Sequence, residues 1–335
     1  MDPDSTATVG RVPHGGEEAV ELDFSANTNP EMPSGVRDIY NSALEAARSY
    51  PPEPPTAFCE AASDYIGCDA DSIVPTPGGL AAIRLAIEVT VEPDDSVLVP
   101  APSFGEYARE VTLQGATPTI VDQQNIVERD PTPHAMAIIC HPNNPTGHAY
   151  SAGQLKAFAR RCRAAETTLL VDEAFLDFTD RPSLAGVDGV IVARSLTKMF
   201  GLPGIRAGFA AGDNQTIAKM AATRRPWNLG APALSVGTYC LKQSSFIERT
   251  RTRVREERER LTEALSETFD VSPSEAPFLL LDVGEGNVDS VLTATRERGI
   301  AVRDARTFRG LNSHIRIAVR LPAENDRLLT VLRDV

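Results

Sequence analysis

Four short apolar runs, set among helical stretches, constrain this chain more than any other feature. They are Ser96-Val97-Leu98-Val99, Ala135 to Cys140, Thr167 to Val171 and Gly189 to Ala193. Each has the length of a buried strand. Around them lie Phe58 to Ile66 and Gly79 to Val89, both with helical apolar spacing, and a helix capped by Ser151 that runs to about Ala165. Strands alternating with helices predict an α/β fold, a mostly parallel sheet with helices on both faces. Open sheets of this kind bind ligands beyond the carboxyl ends of their strands. The residues just after these runs are therefore the first candidates for chemistry.

The flanks read differently. Residues up to Glu21 are polar, with Pro and Gly, and predict an extended arm. Val36 to Ser49 has helical spacing and runs into Tyr50-Pro51-Pro52-Glu53-Pro54-Pro55, a rigid extended break. After Pro232 come a long Arg- and Glu-rich helix from about Ser245 to Phe269, then Phe278 to Val283, a helix around Val288 to Arg298, Ile300 to Val302, His314 to Val319 and a closing helix from Ala323. These predict a smaller α/β domain, with the long helix joining the two and its charges on a solvated face. The expected division is an arm and helix over 1–45 associated with the small domain, a large domain over 46–235, and the small domain over 236–335.

A length of 335 residues suits two such domains. The formal charge of −13 disfavours nucleic acid as a partner, because such a surface repels phosphate. Of 33 basic residues only four are lysines, an acid-rich, lysine-poor balance that fits a salt-adapted host or an arginine-favouring genome. No apolar stretch reaches the ~18 residues of a membrane helix. The start, Met1-Asp2-Pro3-Asp4-Ser5, is unlike a signal peptide, so no membrane contact and a cytoplasmic location are expected. Five scattered cysteines show no zinc or disulfide spacing, and no metal is expected.

Lys198 lies in Ser195-Leu196-Thr197-Lys198-Met199-Phe200-Gly201-Leu202-Pro203-Gly204-Ile205-Arg206, shortly after the fourth apolar run. An amine that attacks an aldehyde must be free and partly desolvated, near donors for a phosphate. The Ser195 hydroxyl and the Arg206 guanidinium are such donors. This run resembles the cofactor-lysine segment of fold-type I pyridoxal-phosphate enzymes. Asp172 ends the third run, where an aspartate serves as a helix N-cap or as partner to a pyridinium nitrogen; Lys198 downstream favours the second role. His141-Pro142-Asn143-Asn144-Pro145-Thr146-Gly147 has the composition of a turn, and it also offers Asn144 to a cofactor's phenolic oxygen. Gly78-Gly79, before a helix, would present backbone N–H groups to a phosphate. Phe104 fits either a core aromatic or a platform for a planar ring. Arg316 fits either the exposed face of a strand or bidentate capture of a carboxylate, with Arg303 and Arg320 near it in sequence.

In this order the pieces resemble the class I/II aminotransferase superfamily over nearly the whole chain. Pro13-His14-Gly15-Gly16, followed by Leu22-Asp23-Phe24-Ser25-Ala26-Asn27-Thr28-Asn29-Pro30, is similar to the opening of the L-threonine-O-3-phosphate decarboxylases, which supply aminopropanol phosphate for cobalamin synthesis. So are Asp172-Glu173-Ala174-Phe175-Leu176-Asp177-Phe178, Pro226-Trp227-Asn228, and Arg316 to Arg320 with Asn325 downstream. Histidinol-phosphate aminotransferases are the near relatives. The resemblance implies pyridoxal 5'-phosphate, carried by Lys198 as a Schiff base, with Asp172 on the ring nitrogen, Asn144 on the ring hydroxyl and Phe104 stacked on the ring. It implies that Ser195, Arg206 and the Gly78-Gly79 backbone hold the cofactor phosphate, with Tyr50 from the neighbouring subunit of a homodimer. Arg316 would take the substrate carboxylate, and Arg303, His14, Asn27 and Arg320 the rest of a small phosphorylated substrate. The implied reaction is decarboxylation of L-threonine O-3-phosphate; the alternative is transamination, with histidinol phosphate as donor. Three departures stand out, the first being Glu17 after Gly15-Gly16, where the resemblance implies an asparagine. Phe175 occupies a position that is tyrosine in many aminotransferases, and Gly79-Leu80-Ala81 replaces a hydroxyl-rich turn.

Overall fold

The Met136–Cys140 strand is buried at every position, as a strand covered on both faces must be. The computed structural model describes residues 1–334 apart from Thr8, Glu17, Glu18 and the side chain of Asn214. The strand lies in a seven-stranded sheet ordered Ile73–Thr76, Gly208–Ala211, Val190–Ser195, Thr168–Asp172, Met136–Cys140, Ser96–Ala101 and Thr117–Asp122. Only Gly208–Ala211 runs against its neighbours. All four predicted strands are present. Side chains alternate between two apolar clusters: Ile139, Val171 and Val192 enter one, Ile138, Leu170 and Ile191 the other. Helices therefore cover both faces, among them Gly79–Thr90 and Ala152–Ala164, the latter closed by a capping box of Ser151 and Gln154. The chain is an α/β structure built on a mostly parallel sheet, as expected.

The topology locates a binding crevice. From Ser96–Ala101 the chain steps outward to Thr117–Asp122, then crosses back to Met136–Cys140 on the other side. The switch point between those strands opens at the carboxyl edge of the sheet.

A second, antiparallel sheet is ordered Arg303–Asp304, His314–Ala318, Phe278–Asp282 and Asp270–Val271. The arm joins this half, because Leu22–Asp23 pairs in parallel with Ile300–Ala301. The Val36–Ala46 helix does not follow it. Its buried stripe, Val36 and Ala43, lies on the apolar Ala231–Leu241 helix, and Tyr239 Oη donates to the Ser34 carbonyl. A narrow stripe is satisfied by any flat apolar helix, so nearness in sequence did not choose its partner.

The long helix spans Ser244–Leu265 and buries Phe246, Ile247, Val254, Leu261 and Leu265. Its charges are not simply solvated. Arg251 Nε donates to the Asp177 carbonyl at 3.1 Å, Arg253 Nη2 to Asn29 Oδ1 at 2.6 Å, and Arg258 Nη1 to the Glu275 carbonyl at 3.1 Å. Guanidinium forks on long stems reach carbonyls that a short polar side chain would miss, so this face ties both sheets together. No helix among the described residues is long and apolar enough to cross a membrane.

Candidate active site

Strand ends deliver the site. Asp172 and Ser195 are the last residues of two neighbouring parallel strands, and Phe104 and Asn144 follow two more. They meet at a cavity of about 320 Å³, floored by the large sheet and roofed by Arg303, Phe308 and Arg316 of the small half.

Lys198 lies in a one-turn helix, Leu196–Met199. Its carbonyl accepts from Asn29 N at 3.0 Å. Gly201 (φ 64°) turns the chain where a Cβ would lie 2.4 Å from the Glu31 carbonyl oxygen. Both contacts fix the backbone that presents the amine. Lys198 Nζ lies 6.0 Å from the centre of the Phe175 ring. Burial, and then the Arg316 charge, push its pKa down to about 8 against the pull of Asp172. A neutral amine is thus available near neutral pH.

Asp172 is buried and accepts two hydrogen bonds, from Tyr107 Oη at 2.7 Å and from Ala174 N at 3.0 Å. Burial pushes its pKa up, while these donors and the Lys198 charge oppose the rise. Beside it, buried Arg194 joins Glu173 and Asp177 and holds the chain just beyond the strand.

At one end of the cavity the groups suit an anion. Ser195 Oγ and Thr197 Oγ1 share a hydrogen bond of 2.7 Å. Gly79 opens the Gly79–Thr90 helix, and a Cβ there would stand 3.2 Å from Ser195 Cβ. Arg206 (φ 56°) is held by the Pro203 and Pro77 carbonyls, at 3.2 Å each. Hydroxyls, a helix N-terminus and a guanidinium converge there. Gly78 stands behind the wall, where a Cβ would meet Arg206 Nη2 at 2.7 Å.

At the other end, Arg316 Nη1 donates to Asn144 Oδ1 and Nη2 to the Ser25 carbonyl at 2.7 Å. Its Nε is buried without a partner, and so is Asn27 Oδ1. Arg303 stands directly opposite Arg316 in the strand register and donates to the Pro13 carbonyl at 2.7 Å. Burial and the Arg303 charge push the Arg316 pKa down, a strain that a bound anion would relieve. His14 Nε2 pairs with Glu106 Oε1 at 2.9 Å, and its ring lies 5.6 Å from that of Phe104.

Two expected residues lie elsewhere. Arg320 binds Glu324 through Nε and Nη2, at 3.1 Å each, and the Asp23 carbonyl through Nη1 at 2.9 Å. Its even spacing from Arg316 would put both on one face of a strand, but the strand stops at Ala318 and Arg320 turns away. Tyr50 is 77% exposed and stacks on Trp227 at 4.4 Å, outside the cavity. Sequence reasoning assigned no role to Thr197, Tyr107 or Phe308, which all line the cavity. A second hydroxyl beside Lys198 signals the first, and the helical spacing from Phe104 signals the second. Nothing local signals Phe308, which arrives through the tertiary fold.

The class I and II aminotransferase family model matches residues 19–332. The chain is 30% identical over 326 residues to histidinol-phosphate aminotransferase 1 of Archaeoglobus fulgidus, covering 93% of this chain and 98% of that one. It is 31% identical over 336 residues to threonine-phosphate decarboxylase of Salmonella typhimurium, covering 94% and 91%. The crystal structure of histidinol-phosphate aminotransferase from Clostridium acetobutylicum superposes with a TM-score of 0.84 at 25% identity, covering 93% and 98%. A crevice at the sheet's switch point, a lysine with a lowered pKa beside a buried aspartate, and a match over nearly the full length agree: the chain belongs to the class I and II aminotransferase family and is a pyridoxal-phosphate-dependent enzyme.

Proposed function

We propose that this enzyme decarboxylates L-threonine O-3-phosphate to aminopropanol phosphate, a precursor for cobalamin synthesis. One observation carries the reading. Arg303 and Arg316 oppose each other in register and wall one cavity, and the His14 arm closes against them. Two buried guanidinium groups suit a short substrate bearing both a carboxylate and a phosphate.

The residues present fit the cofactor. Gly79 leaves its helix N-terminus open to a phosphate beside Ser195, Thr197 and Arg206. Asp172 is the buried acid that would hold a ring nitrogen protonated, Asn144 would meet the ring hydroxyl, and Phe104 would cover the ring. When bound, pyridoxal phosphate supplies the electron sink for the pair released at Cα. Arg316 would orient the substrate carboxylate, which leaves as carbon dioxide. Its free Nε is a donor still to be used. Arg303, His14 and Asn27 would hold the substrate phosphate, and Lys198 Nζ would deliver the proton that Cα gains. Orientation is the protein's main contribution, since a displacement of ~1 Å costs on the order of 100-fold.

The second reading is transamination of histidinol phosphate, favoured by the 30% identity to the Archaeoglobus enzyme. Lys198 and Asp172 serve either reaction. The purified enzyme, supplied with pyridoxal phosphate and threonine phosphate alone, is expected to release carbon dioxide without a keto acid. No release, together with conversion of histidinol phosphate and 2-oxoglutarate, moves the assignment to the aminotransferase.

A further inference from the structure

We infer that Tyr107 is a positioning residue: its phenol fixes the Asp172 carboxylate and its ring fixes Phe104, so one buried side chain sets two walls of the cofactor pocket. The inference rests on the proposed role of Asp172 toward the cofactor.

Tyr107 has no exposed surface and projects from the Glu106–Leu113 helix. Its Oη donates to Asp172 Oδ2 at 2.7 Å, while Ala174 N donates to Oδ1 at 3.0 Å. One donor on each oxygen fixes the rotation of the carboxylate and favours its ionised form. Tyr107 also meets Phe104 edge to face, with centroids 5.5 Å apart and planes at 81°. Phe104 in turn touches the His14 ring, so the acid at the cavity floor is linked through two aromatic rings to the arm at its rim.

The charge environment makes this donor matter. Asp172 is desolvated, and a buried carboxylate without donors takes up a proton; a neutral acid cannot hold a pyridinium. The other titratable groups facing it are the Lys198 amine, the Arg194 guanidinium and the Cys140 thiol, whose pKa burial pushes up so that it stays neutral. Arg194 is already engaged by Glu173 and Asp177, and Lys198 is committed to the chemistry. The phenol of Tyr107 is itself driven well above its ordinary range by burial and by Asp172, so it remains a donor at every working pH.

The test is a double-mutant cycle of Tyr107→Phe and Asp172→Asn, read by equilibrium dialysis of pyridoxal phosphate against each apoprotein and by the pH profile of kcat in the loaded enzymes. Phenylalanine keeps the ring edge on Phe104, and a thermal scan of each variant checks that it folds. Tyr107→Phe is expected to weaken cofactor binding about tenfold and to move the acid limb of kcat up by about one pH unit, since Asp172 then protonates sooner. In the Asp172→Asn background the same substitution is expected to change neither. Equal losses in both backgrounds, or no effect of Tyr107→Phe where Asp172→Asn has one, overturns the inference. If Asp172→Asn alone leaves cofactor affinity unchanged, the role of Asp172 fails and takes the inference with it. Whether carbon dioxide or an exchanged amine is the product does not enter these readouts.

Discussion

In the role proposed for it, Lys198 can act near neutrality because it is out of water and near Arg316. With its pKa pushed down to about 8, the amine keeps a neutral, nucleophilic fraction near neutral pH that grows as the pH rises through that value. Capture of pyridoxal phosphate by the apoenzyme, followed by stopped-flow absorbance, should therefore rise with pH, pass half-maximum near 8 and level off. Arg316→Met removes the second cause of the shift and should move that midpoint upward, toward the ordinary lysine value of ~10.4. Lys198→Ala should lose the visible absorbance of the bound cofactor and about three orders of magnitude or more in kcat. The lysine, the aspartate and Asn144 were legible in sequence because each follows a recognisable apolar strand. A lowered pKa was expected too, from what the amine must do; which cation lowers it was not legible, since Arg316 comes from a strand far along the chain.

The arm illustrates how an element is held. A Cβ on Gly15 would lie 2.2 Å from the Ser25 carbonyl oxygen, and that same carbonyl accepts from Arg316 Nη2. Gly15→Ala should displace the arm and loosen Arg316 together, raising the KM for a phosphorylated substrate about tenfold while the thermal midpoint shifts by only a few degrees. Steady-state kinetics beside a thermal scan measure both; an unchanged KM means that the arm does not shape the substrate end. Elements with local signals were readable, such as the Ser151 cap and the apolar parallel strands. Gly208–Ala211 was not. Its four buried residues, Gly-Phe-Ala-Ala, carry no period that separates a strand from a helix segment, and only its place between Ile73–Thr76 and Val190–Ser195 makes it a strand.

For the whole molecule we propose a homodimer in which Tyr50 completes the partner's site. Tyr40, Leu44, Tyr50 and Trp227 are 40%, 53%, 77% and 48% exposed, and Tyr50 stacks on Trp227, so these side chains are free to meet a partner. Gel filtration should give a mass of two chains. Mixing Lys198→Ala with Tyr50→Ala protein should restore about a quarter of native activity, the share of complete sites that random pairing in a two-fold dimer provides. A one-chain mass, or no recovery on mixing, removes Tyr50 from the site.

What the sequence determined by itself is the set of groups carried on the parallel sheet: apolar runs place strands through local hydrophobicity, and turn chemistry places Lys198, Asp172 and Asn144 at their ends. Tertiary structure alone decided which distant side chains face them. Arg316 enters because its strand pairs with Arg303, Arg320 leaves because that strand stops at Ala318, and Tyr107 turns inward beneath Asp172. The reason is physical: strand position follows from which residues avoid water, while the facing of a lone polar group depends on packing between elements that no local pattern encodes.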